Sequence, residues 1–497
     1  MLHAELIAPV HVLLARHAAA RGDAVAFEDA GRAVTYAALA ARTAGMAASL
    51  QARGVGPGDA VALCLPNGVA WVECCLAILR AGAVAVPISH DATAAEIAYR
   101  IEDSGCRHAY ASGARADAFA ACAVLAADDG AAAEGAAPRD PDDLDAVAFL
   151  VYTSGTTGRA KGVMLTLRSM LWVVAACWAP IVGLGPDDRV LSPLPLFHSY
   201  ALNLSVLGIL ATGAREFIME RFSTSEALAR LAGGGYTLLP GVPTMFHYLL
   251  DAIAREERRD LGALRMCVSA GAIMPAALNA AFEAATGVPL LDGYGITETA
   301  TMVTMNWPHG TRVAGSCGLP LPGLAVRIVD PATDADVPPG AEGELIVRGP
   351  NLMRGYHAKP DATAAALRAG WYRTGDLARA DAHGFITITG RLKELIIRGG
   401  QNIAPAEVEE AVAAFAAVRD CAVVGIAHAT LGEVPVAFVV PREGAAFDAA
   451  ALRAHCATLL SAYKVPHAVR VVDAIPRTGS GKVMRFRLRE LLGDAPP

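Results

Sequence analysis

Short apolar runs alternate with a helical pattern over residues 59–88. The run 59–65 ends at Pro66-Asn67-Gly68, a combination that is typical of a strand followed by a turn. Apolar residues at helical spacing predict a helix over 69–81, and a second apolar run at 83–88 predicts another strand. Two strands joined by a helix form a βαβ unit, which favours a parallel sheet. The chain is therefore predicted to have an α/β fold.

The pattern changes in the second half of the chain. Short runs separated by Pro and Gly over 318–355 predict antiparallel strands or a small barrel, with strands at 325–329 and 343–348. After Gly390 the pattern predicts helices at 407–415 and 449–460 and strands at 421–426 and 434–440. We therefore predict two domains. Residues 1–390 would form a large N-terminal domain of βαβ-type mixed sheets with a small β-barrel subdomain, and residues 391–497 a small α+β C-terminal domain.

Two apolar stretches raise the question of a membrane span. They cover 170–185, which contains Pro180, and 201–214, which contains Asn203. A helix that crosses a bilayer needs roughly 20 apolar residues, so we predict buried core and no transmembrane segment. The N-terminus has no basic region before an apolar segment, so we expect no secretory signal. The Ala-rich, acidic region 111–145 is predicted to be a surface helix and connector.

Composition and charge limit the class of partner. Of the 497 residues, 54% are hydrophobic and 18% are charged, which excludes a disordered chain. The formal net charge of −7 provides no overall basic field, so no nucleic-acid partner is expected. The ten cysteines are scattered without a CxxC pair, which argues against a zinc site and a disulfide framework. We expect most of them to be small buried residues of a cytoplasmic protein.

A loop rich in glycine and hydroxyl side chains follows the apolar run 146–151. It reads Thr153-Ser154-Gly155-Thr156-Thr157-Gly158-Arg159-Ala160-Lys161-Gly162. Its backbone N–H groups, hydroxyls and lysine can converge on phosphate oxygens. The Walker pattern does not fit, because Ala160 stands at its second glycine and Gly162 stands where Ser or Thr is needed. The dinucleotide pattern GxGxxG fails after Gly293, since Glu298 occupies the place of its third glycine. A surface loop without a ligand is the alternative.

Six segments in chain order resemble the motifs of the adenylate-forming superfamily, which includes acyl-CoA synthetases, peptide-synthetase adenylation domains and luciferases. They are YTSGTTGRAKG at 152–162, PLFH at 195–198, GYGITET at 293–299, YRTGD at 372–376, GRLKE at 390–394 and PRTGSGK at 476–482. The resemblance implies that the C-terminal domain is mobile. It also implies two half-reactions: a carboxylate attacks the α-phosphate of ATP to give acyl-AMP and pyrophosphate, and a thiol then attacks the acyl-AMP.

The resemblance further implies a role for each candidate residue. Lys482 would neutralise charge as the carboxylate meets ATP, His198 would orient that carboxylate, and Thr297 and Glu298 would hold Mg²⁺. The nucleotide-binding set is Thr153, Ser154, Gly155, Thr156, Thr157, Gly158 and Lys161 for the phosphates, Gly271, Ala272, Tyr294 and Gly295 around adenine, and Asp376 and Arg391 for the ribose. Lys393 would be the pivot of the C-terminal domain, and Gly399 and Gly400 would shape the tunnel for CoA.

Each residue also has a plainer interpretation without a ligand. The alternatives are a solvated surface charge for Lys482 and Arg391, an acid at a helix N-terminus for Glu298, a turn residue for Asp376, core residues for Tyr294 and His198, and an exposed turn for Gly399 and Gly400.

By resemblance, the acyl pocket draws on residues 198–209, 236–250, 269–273 and 293–304. These stretches contain no Lys or Arg, and Glu298 is their only acidic residue. A second carboxylate or an α-amino group on the substrate would therefore be buried without a partner, which is costly. The apolar side chains suggest an apolar fatty or aryl acid; they are Leu204, Val206, Leu207, Val242, Met245, Phe246 and Met302. We expect an ATP-dependent acid–CoA ligase that uses ATP, Mg²⁺ and CoA.

The main alternative is an acyl-AMP ligase that loads a separate carrier protein. Carrier-loading ligases of the resembled family bear an insertion that hinders domain rotation, and residues 322–376 look too compact for one, which favours CoA. A luciferase-like oxygenase has no support in the sequence. An inactive binding protein on this fold is disfavoured by the presence of Lys482, Glu298 and Asp376.

Overall fold

The structure is a computed structural model that describes residues 2–131, 137–153, 159–256, 260–399, 401–428, 430–477 and 482–492. Its α-helices are α1 Val10–Arg21, α2 Tyr36–Ala52, α3 Val69–Arg80, α4 Ala94–Ser104, α5 Leu167–Val173, α6 Ser199–Ala201, α7 Ile209–Thr212, α8 Thr224–Gly234, α9 Pro243–Glu256, α10 Ala276–Thr286, α11 Pro360–Ala366, α12 Pro405–Ala413, α13 Ala449–Leu459 and α14 Arg485–Glu490.

Its strands are β1 Val25–Glu28, β2 Ala33–Thr35, β3 Ala60–Cys64, β4 Val84–Pro87, β5 His108–Ala111, β6 Ala123–Leu125, β7 Val147–Thr153, β8 Lys161–Thr166, β9 Arg189–Ser192, β10 Arg215–Ile218, β11 Leu238–Gly241, β12 Met266–Ser269, β13 Leu290–Tyr294, β14 Thr304–Met305, β15 Leu319–Pro320, β16 Ala325–Val329, β17 Gly343–Arg348, β18 Gly355–Tyr356, β19 Leu367–Arg368, β20 Trp371–Ala380, β21 Ile386–Arg391, β22 Ile396–Arg398, β23 Gln401–Ile403, β24 Val418–His428, β25 Gly432–Pro441 and β26 Ala468–Val471.

The chain divides into two compact units. The larger unit consists of Met1–Ala325 and Val347–Tyr372, and the smaller unit consists of Val326–Ile346 and Arg373–Pro497. The boundary predicted between residues 390 and 391 separates two domains that are expected to move relative to each other. A division into compact units does not test that movement, so this boundary stays a prediction.

Two sheets form the frame of the larger unit. Counted over the described residues, one has nine strands in the order β15-β14-β13-β12-β11-β9-β10-β1-β2, and the other has seven in the order β18-β8-β7-β4-β3-β5-β6. The predicted βαβ unit is confirmed, because β3 and β4 pair in parallel with Ala60 opposite Val84, and α3 joins them. Each sheet has antiparallel strands at an edge, such as β18 beside β8.

Helix α4 shows how local sequence sets an element of this unit. Thr93 Oγ1 accepts a hydrogen bond from the Glu96 N–H, and the Glu96 carboxylate accepts one from the Thr93 N–H, which is a capping box. Gly105 ends the helix at φ 69°, a conformation that suits glycine. Both ends of helix α4 are therefore fixed by local sequence.

The region 111–145 departs from its prediction. Its described part holds a 3₁₀ segment at Gly113–Phe119 and the edge strand β6, which pairs in parallel with β5, so the predicted surface helix is wrong there. The alanine content favours a helix, but pairing with an open sheet edge outweighs that preference.

Both long apolar stretches lie in the core of the larger unit, as predicted. Helix α5 continues as a π-helix at Val174–Trp178, and α6 and α7 flank a second π-helix at Leu202–Gly208. The buried Asn203 is satisfied, since its amide accepts from Trp178 Nε1 at 2.6 Å and donates to the Met170 carbonyl at 2.8 Å. Within the described ranges, every helix is too short or too polar to cross a bilayer.

The smaller unit is built around the long β24–β25 hairpin. The strand order is β23-β22-β25-β24, and β26 pairs in parallel with β25. One face of this sheet packs against α12 and α13, and the other packs against α14. The helices and strands predicted after residue 406 are confirmed to within a few residues at their ends. A further sheet has the order β16-β17-β20-β19, with β21 beside β20.

Eight of the ten cysteines are buried, and the other two are half-buried. Burial raises the pKa of the Cys64 thiol to about 11 and that of Cys106 to about 12. Their predicted character as small buried residues is confirmed for those eight.

Candidate active site

The turn that carries Thr297 and Glu298 is held by buried side chains. After β13, residues Thr297–Thr299 form a 3₁₀ segment, and Ala300 and Thr301 follow at positive φ of 49° and 104°. Positive φ is costly for residues other than glycine and persists where the surroundings fix it.

The hydrogen bonds that fix this turn involve two residues outside it, Asn351 and Ser199. Asn351 Nδ2 donates to the carbonyls of Thr299 at 3.1 Å and Met302 at 2.9 Å. Thr301 Oγ1 donates to the Ser199 carbonyl at 2.9 Å, and the Ser199 and Thr297 hydroxyls are 3.1 Å apart. Because these partners are buried, the turn that carries Thr297 and Glu298 is rigid.

Tyr356 joins Glu298 to Lys161. The Tyr356 hydroxyl donates to Glu298 Oε1 at 2.9 Å, and Lys161 Nζ lies 4.7 Å from the centre of the Tyr356 ring. Burial, followed by the negative charge of Glu298, raises the pKa of Tyr356, so the phenol stays protonated and donates. One aromatic side chain thus connects a predicted metal ligand with a predicted phosphate ligand.

Strands β7 and β8 flank the predicted phosphate loop in the sequence. Thr153 is opposite Lys161 in this antiparallel pair. Tyr99 OH donates to the Ala160 carbonyl at 2.6 Å, and Tyr152 OH donates to Asp103 Oδ2 at 2.8 Å, so helix α4 contacts both strands beside the loop. The predicted ligands Ser154, Gly155, Thr156, Thr157 and Gly158 lie outside the described residues.

The predicted adenine residues are in the larger unit as well. Tyr294 is half-buried at the end of β13, and Gly271 and Ala272 follow β12, which is the neighbour of β13 in the sheet. Gly271 has φ 88°, a conformation that favours glycine. A side chain at Gly295 would meet the backbone of Thr301, because an added Cβ would lie 1.5 Å from that carbonyl oxygen.

His198 precedes α6 in the same unit. Its Nδ1 accepts a hydrogen bond from the Tyr200 N–H at 3.4 Å, and its side chain is half-buried.

The smaller unit holds the remaining predicted residues. Asp376 on β20 is 3% exposed and forms an ion pair with Arg391 on β21, with Oδ1 and Nε 2.7 Å apart. These two residues are directly opposite in the antiparallel pair.

Three further predicted residues lie in the same unit. Lys393 is exposed in a 3₁₀ segment, Gly399 has φ 55°, and Lys482 is half-buried. Gly400 lies outside the described residues.

Sequence reasoning missed the residues that hold the site together. Tyr356, Asn351 and Ser199 contact the 297–301 turn, and Tyr99 and Asp103 contact the strands beside the loop. The spacing of Tyr99 and Asp103, four residues apart on one helix face, is a signal that could have suggested a shared partner.

The donor set of the turn fits a magnesium ion. Thr297 and Glu298 offer a hydroxyl and a carboxylate, and Mg²⁺ prefers oxygen ligands from one or two carboxylates together with substrate phosphates. Among the described residues no group of three or more His, Cys, Asp or Glu side chains could hold a metal by itself. The site therefore suits an ion that arrives with a nucleotide.

Comparisons with known proteins identify the family. The family model described as AMP-binding enzyme matches residues 14–357, and the model of the AMP-binding enzyme C-terminal domain matches residues 407–482. A feruloyl-CoA synthase of an Amycolatopsis species is 38% identical over 478 residues, which cover 95% of this chain and 96% of that protein. A sulfoacetate–CoA ligase of Cupriavidus necator is 37% identical, with 93% of each chain covered.

A solved structure has the same fold as this chain. ATP-bound MatB from Rhodopseudomonas palustris superposes with a TM-score of 0.91 at 33% sequence identity, over 98% of this chain and 99% of that chain.

The chain belongs to the family of AMP-binding, adenylate-forming enzymes. It is an ATP-dependent, AMP-forming acid–CoA ligase, which uses ATP, Mg²⁺ and CoA. The resemblance seen in the six sequence motifs and the predicted mixed α/β fold are confirmed.

Proposed function

We propose that the 297–301 turn and the β7–β8 hairpin bind the triphosphate of ATP. The observation that carries this proposal is that Lys161 and Glu298 both contact Tyr356, the lysine at the ring and the carboxylate at the hydroxyl. Lys161 and the loop that includes Thr153 bind phosphate oxygens, and Thr297 and Glu298 hold Mg²⁺. When bound, Mg²⁺ neutralises negative charge on the phosphates. Ser154 to Gly158 complete the loop in this proposal.

The adenine ring and the ribose of ATP have separate sets of proposed ligands. Tyr294 offers a flat face to adenine, and Gly271, Ala272 and Gly295 leave room for the ring. The buried Asp376 accepts the ribose hydroxyls, since one carboxylate can take two hydrogen bonds, and Arg391 holds that carboxylate in place at 2.7 Å.

His198 and Lys482 serve the reacting groups. His198 orients the substrate carboxylate, and the Lys482 ammonium neutralises the two anions as they meet. We further propose that the domain 391–497 rotates about Lys393 after acyl-AMP has formed, so that Lys482 leaves and Gly399 and Gly400 approach the thiol of CoA.

The Lys482→Ala variant tests this scheme by separating the half-reactions. We expect a loss of at least 100-fold in acid-dependent ATP–pyrophosphate exchange, because no other cation then meets the attacking carboxylate. Thiolysis of supplied acyl-AMP by CoA should stay within about threefold of wild type. The matched control is Lys464→Ala in the same unit, which removes a surface lysine paired with Glu407. Equal loss of both half-reactions in Lys482→Ala would contradict the proposed role.

We propose that the acid is an apolar aryl or fatty acid. Support comes from the absence of Lys and Arg in the pocket stretches of the sequence, and from the feruloyl-CoA synthase among the relatives. The sulfoacetate–CoA ligase is a relative whose named substrate is charged, so the substrate class needs a direct test.

A panel of acids provides that test. Ferulate, benzoate and fatty acids of several lengths are compared with sulfoacetate and malonate by ATP–pyrophosphate exchange, and CoA thioesters are then identified by mass. An unpaired buried charge costs several kcal/mol, so we expect kcat/KM for the best apolar acid to exceed that for either charged acid by at least about 100-fold. Comparable rates for sulfoacetate would refute the proposal.

The thiol acceptor and the cellular location of the enzyme are also part of the proposal. CoA is proposed as the preferred acceptor over a separate carrier protein, and incubation of enzyme, ATP and acid with equal CoA and holo-carrier protein would distinguish the two. A cytoplasmic location is proposed from the ten free cysteines, and cell fractionation would test it.

A further inference from the structure

Tyr356 lies between the two charged side chains of the proposed phosphate site. Its hydroxyl contacts Glu298 at 2.9 Å, and its ring contacts Lys161 at 4.7 Å. The tyrosine is 7% exposed, so its side chain is shielded from water. Polar interactions are stronger in such a buried environment than in water. One side chain therefore holds an anion through its hydroxyl and a cation through its face.

The backbone around Tyr356 is fixed to both partners. Strand β18 pairs with β8, the strand that begins at Lys161, and the His357 N–H donates to the Gly162 carbonyl at 2.8 Å. The Met353 N–H donates to the Glu298 carbonyl at 2.9 Å. The segment 353–357 thus connects the strand that carries the lysine to the turn that carries the carboxylate.

We propose that Tyr356 is a positioning residue that fixes the separation of Glu298 from Lys161 before ATP binds. The inference rests on the proposed function, in which these two residues serve Mg²⁺ and the phosphates. Its consequence is that the two parts of the side chain have separable effects. The hydroxyl orients the carboxylate toward the metal, and the ring steadies the ammonium for the phosphates.

Two substitutions separate these effects. Tyr356→Phe keeps the ring and removes the hydroxyl, whereas Tyr356→Leu removes both. The matched control is Tyr110→Phe, since Tyr110 is buried elsewhere in the larger unit and its hydroxyl has no partner among the described residues. The readouts are the affinity of the enzyme–ATP complex for Mn²⁺, measured by electron paramagnetic resonance, and the affinity for ATP without metal, measured by calorimetry.

The expected results differ between the variants. In Tyr356→Phe the dissociation constant for Mn²⁺ should rise about tenfold, the effect of one hydrogen bond to a charged group, while metal-free ATP binding stays within twofold. In Tyr356→Leu metal-free ATP binding should also weaken, by about three- to tenfold, through loss of the cation–π contact. Tyr110→Phe should leave both affinities unchanged.

Wild-type Mn²⁺ affinity in a folded Tyr356→Phe enzyme would overturn the proposal. If the leucine variant does not fold, the phenylalanine variant still decides the proposal, because it keeps the ring and removes only the hydroxyl. Failure of the proposed function would look different, because the wild-type enzyme itself would then bind no Mn²⁺ in the presence of ATP.

Discussion

A methyl group added at Gly295 should stop adenylation by displacing the turn that carries Glu298. The Cβ of Gly295→Ala would lie 1.5 Å from the Thr301 carbonyl oxygen and 2.6 Å from Met302 Cα. A Cβ atom essentially never lies within 3.0 Å of a heavy atom outside its own and the two adjacent residues, so the backbone at Thr301 must move by at least about 1.5 Å. Misplacement by 1 Å can cost about 100-fold in rate, so we expect acid-dependent exchange to fall by at least about 100-fold.

The assay for this prediction is ATP–pyrophosphate exchange at saturating acid, with circular dichroism to verify folding. Gly233→Ala is the matched control, because Gly233 is exposed in α8, has ordinary φ and has open space around its Cα. That substitution should keep full activity and add up to about 1 kcal/mol of stability. If folded Gly295→Ala retained exchange within about fivefold of wild type, the rigid placement of this turn would not matter for catalysis, and the reasoning would be refuted.

Two further predictions concern residues outside the proposed ligand set. Tyr99→Phe removes the hydrogen bond to the Ala160 carbonyl, so KM for ATP should rise about three- to tenfold while KM for the acid is unchanged; equal changes in both constants would contradict a role at the loop. Burial raises the pKa of Glu216 well above 4.5, and the nearby Ser205 hydroxyl opposes this rise only in part. Neither carboxyl oxygen of Glu216 has a hydrogen-bond partner that meets the usual distance and angle limits in the described structure. Above pH 4.5 the native state then keeps a proton that the unfolded chain releases, so stability falls with rising pH by up to about 1.4 kcal/mol per unit, until the raised pKa is passed. Glu216→Gln should remove that slope in urea unfolding measured between pH 5.5 and 8, and parallel curves for the two proteins would contradict the assignment.

Much of the fold could be predicted from local pattern. The βαβ unit from β3 to β4 follows from apolar runs, a turn at Pro66 and helical spacing, and the structure confirms each element. Strands β16 and β17 have the predicted bounds, because Pro and Gly mark their ends. The edge strand β6 was not predicted, since its short run in an alanine-rich region gains its stability from pairing with β5.

The site was predictable where a motif carries it and not where a distant side chain supports it. Glu298 and Lys161 lie within sequence motifs, but Tyr356 meets them only because β18 pairs with a strand almost 200 residues earlier in the chain. Hydrophobic spacing identifies a strand and its buried face. It does not identify the residue across the sheet that donates a hydrogen bond, because that depends on strand order and register.

The buried thiols described above have a consequence for an enzyme that makes mixed anhydrides. An acyl-AMP is an electrophile, and thiolates are the form of cysteine that attacks it. Since burial keeps Cys64, Cys106 and Cys75 protonated, these side chains are poor competitors for the activated acyl group. Self-acylation is thereby suppressed, and the activated acid is left to the sulfur of the incoming coenzyme.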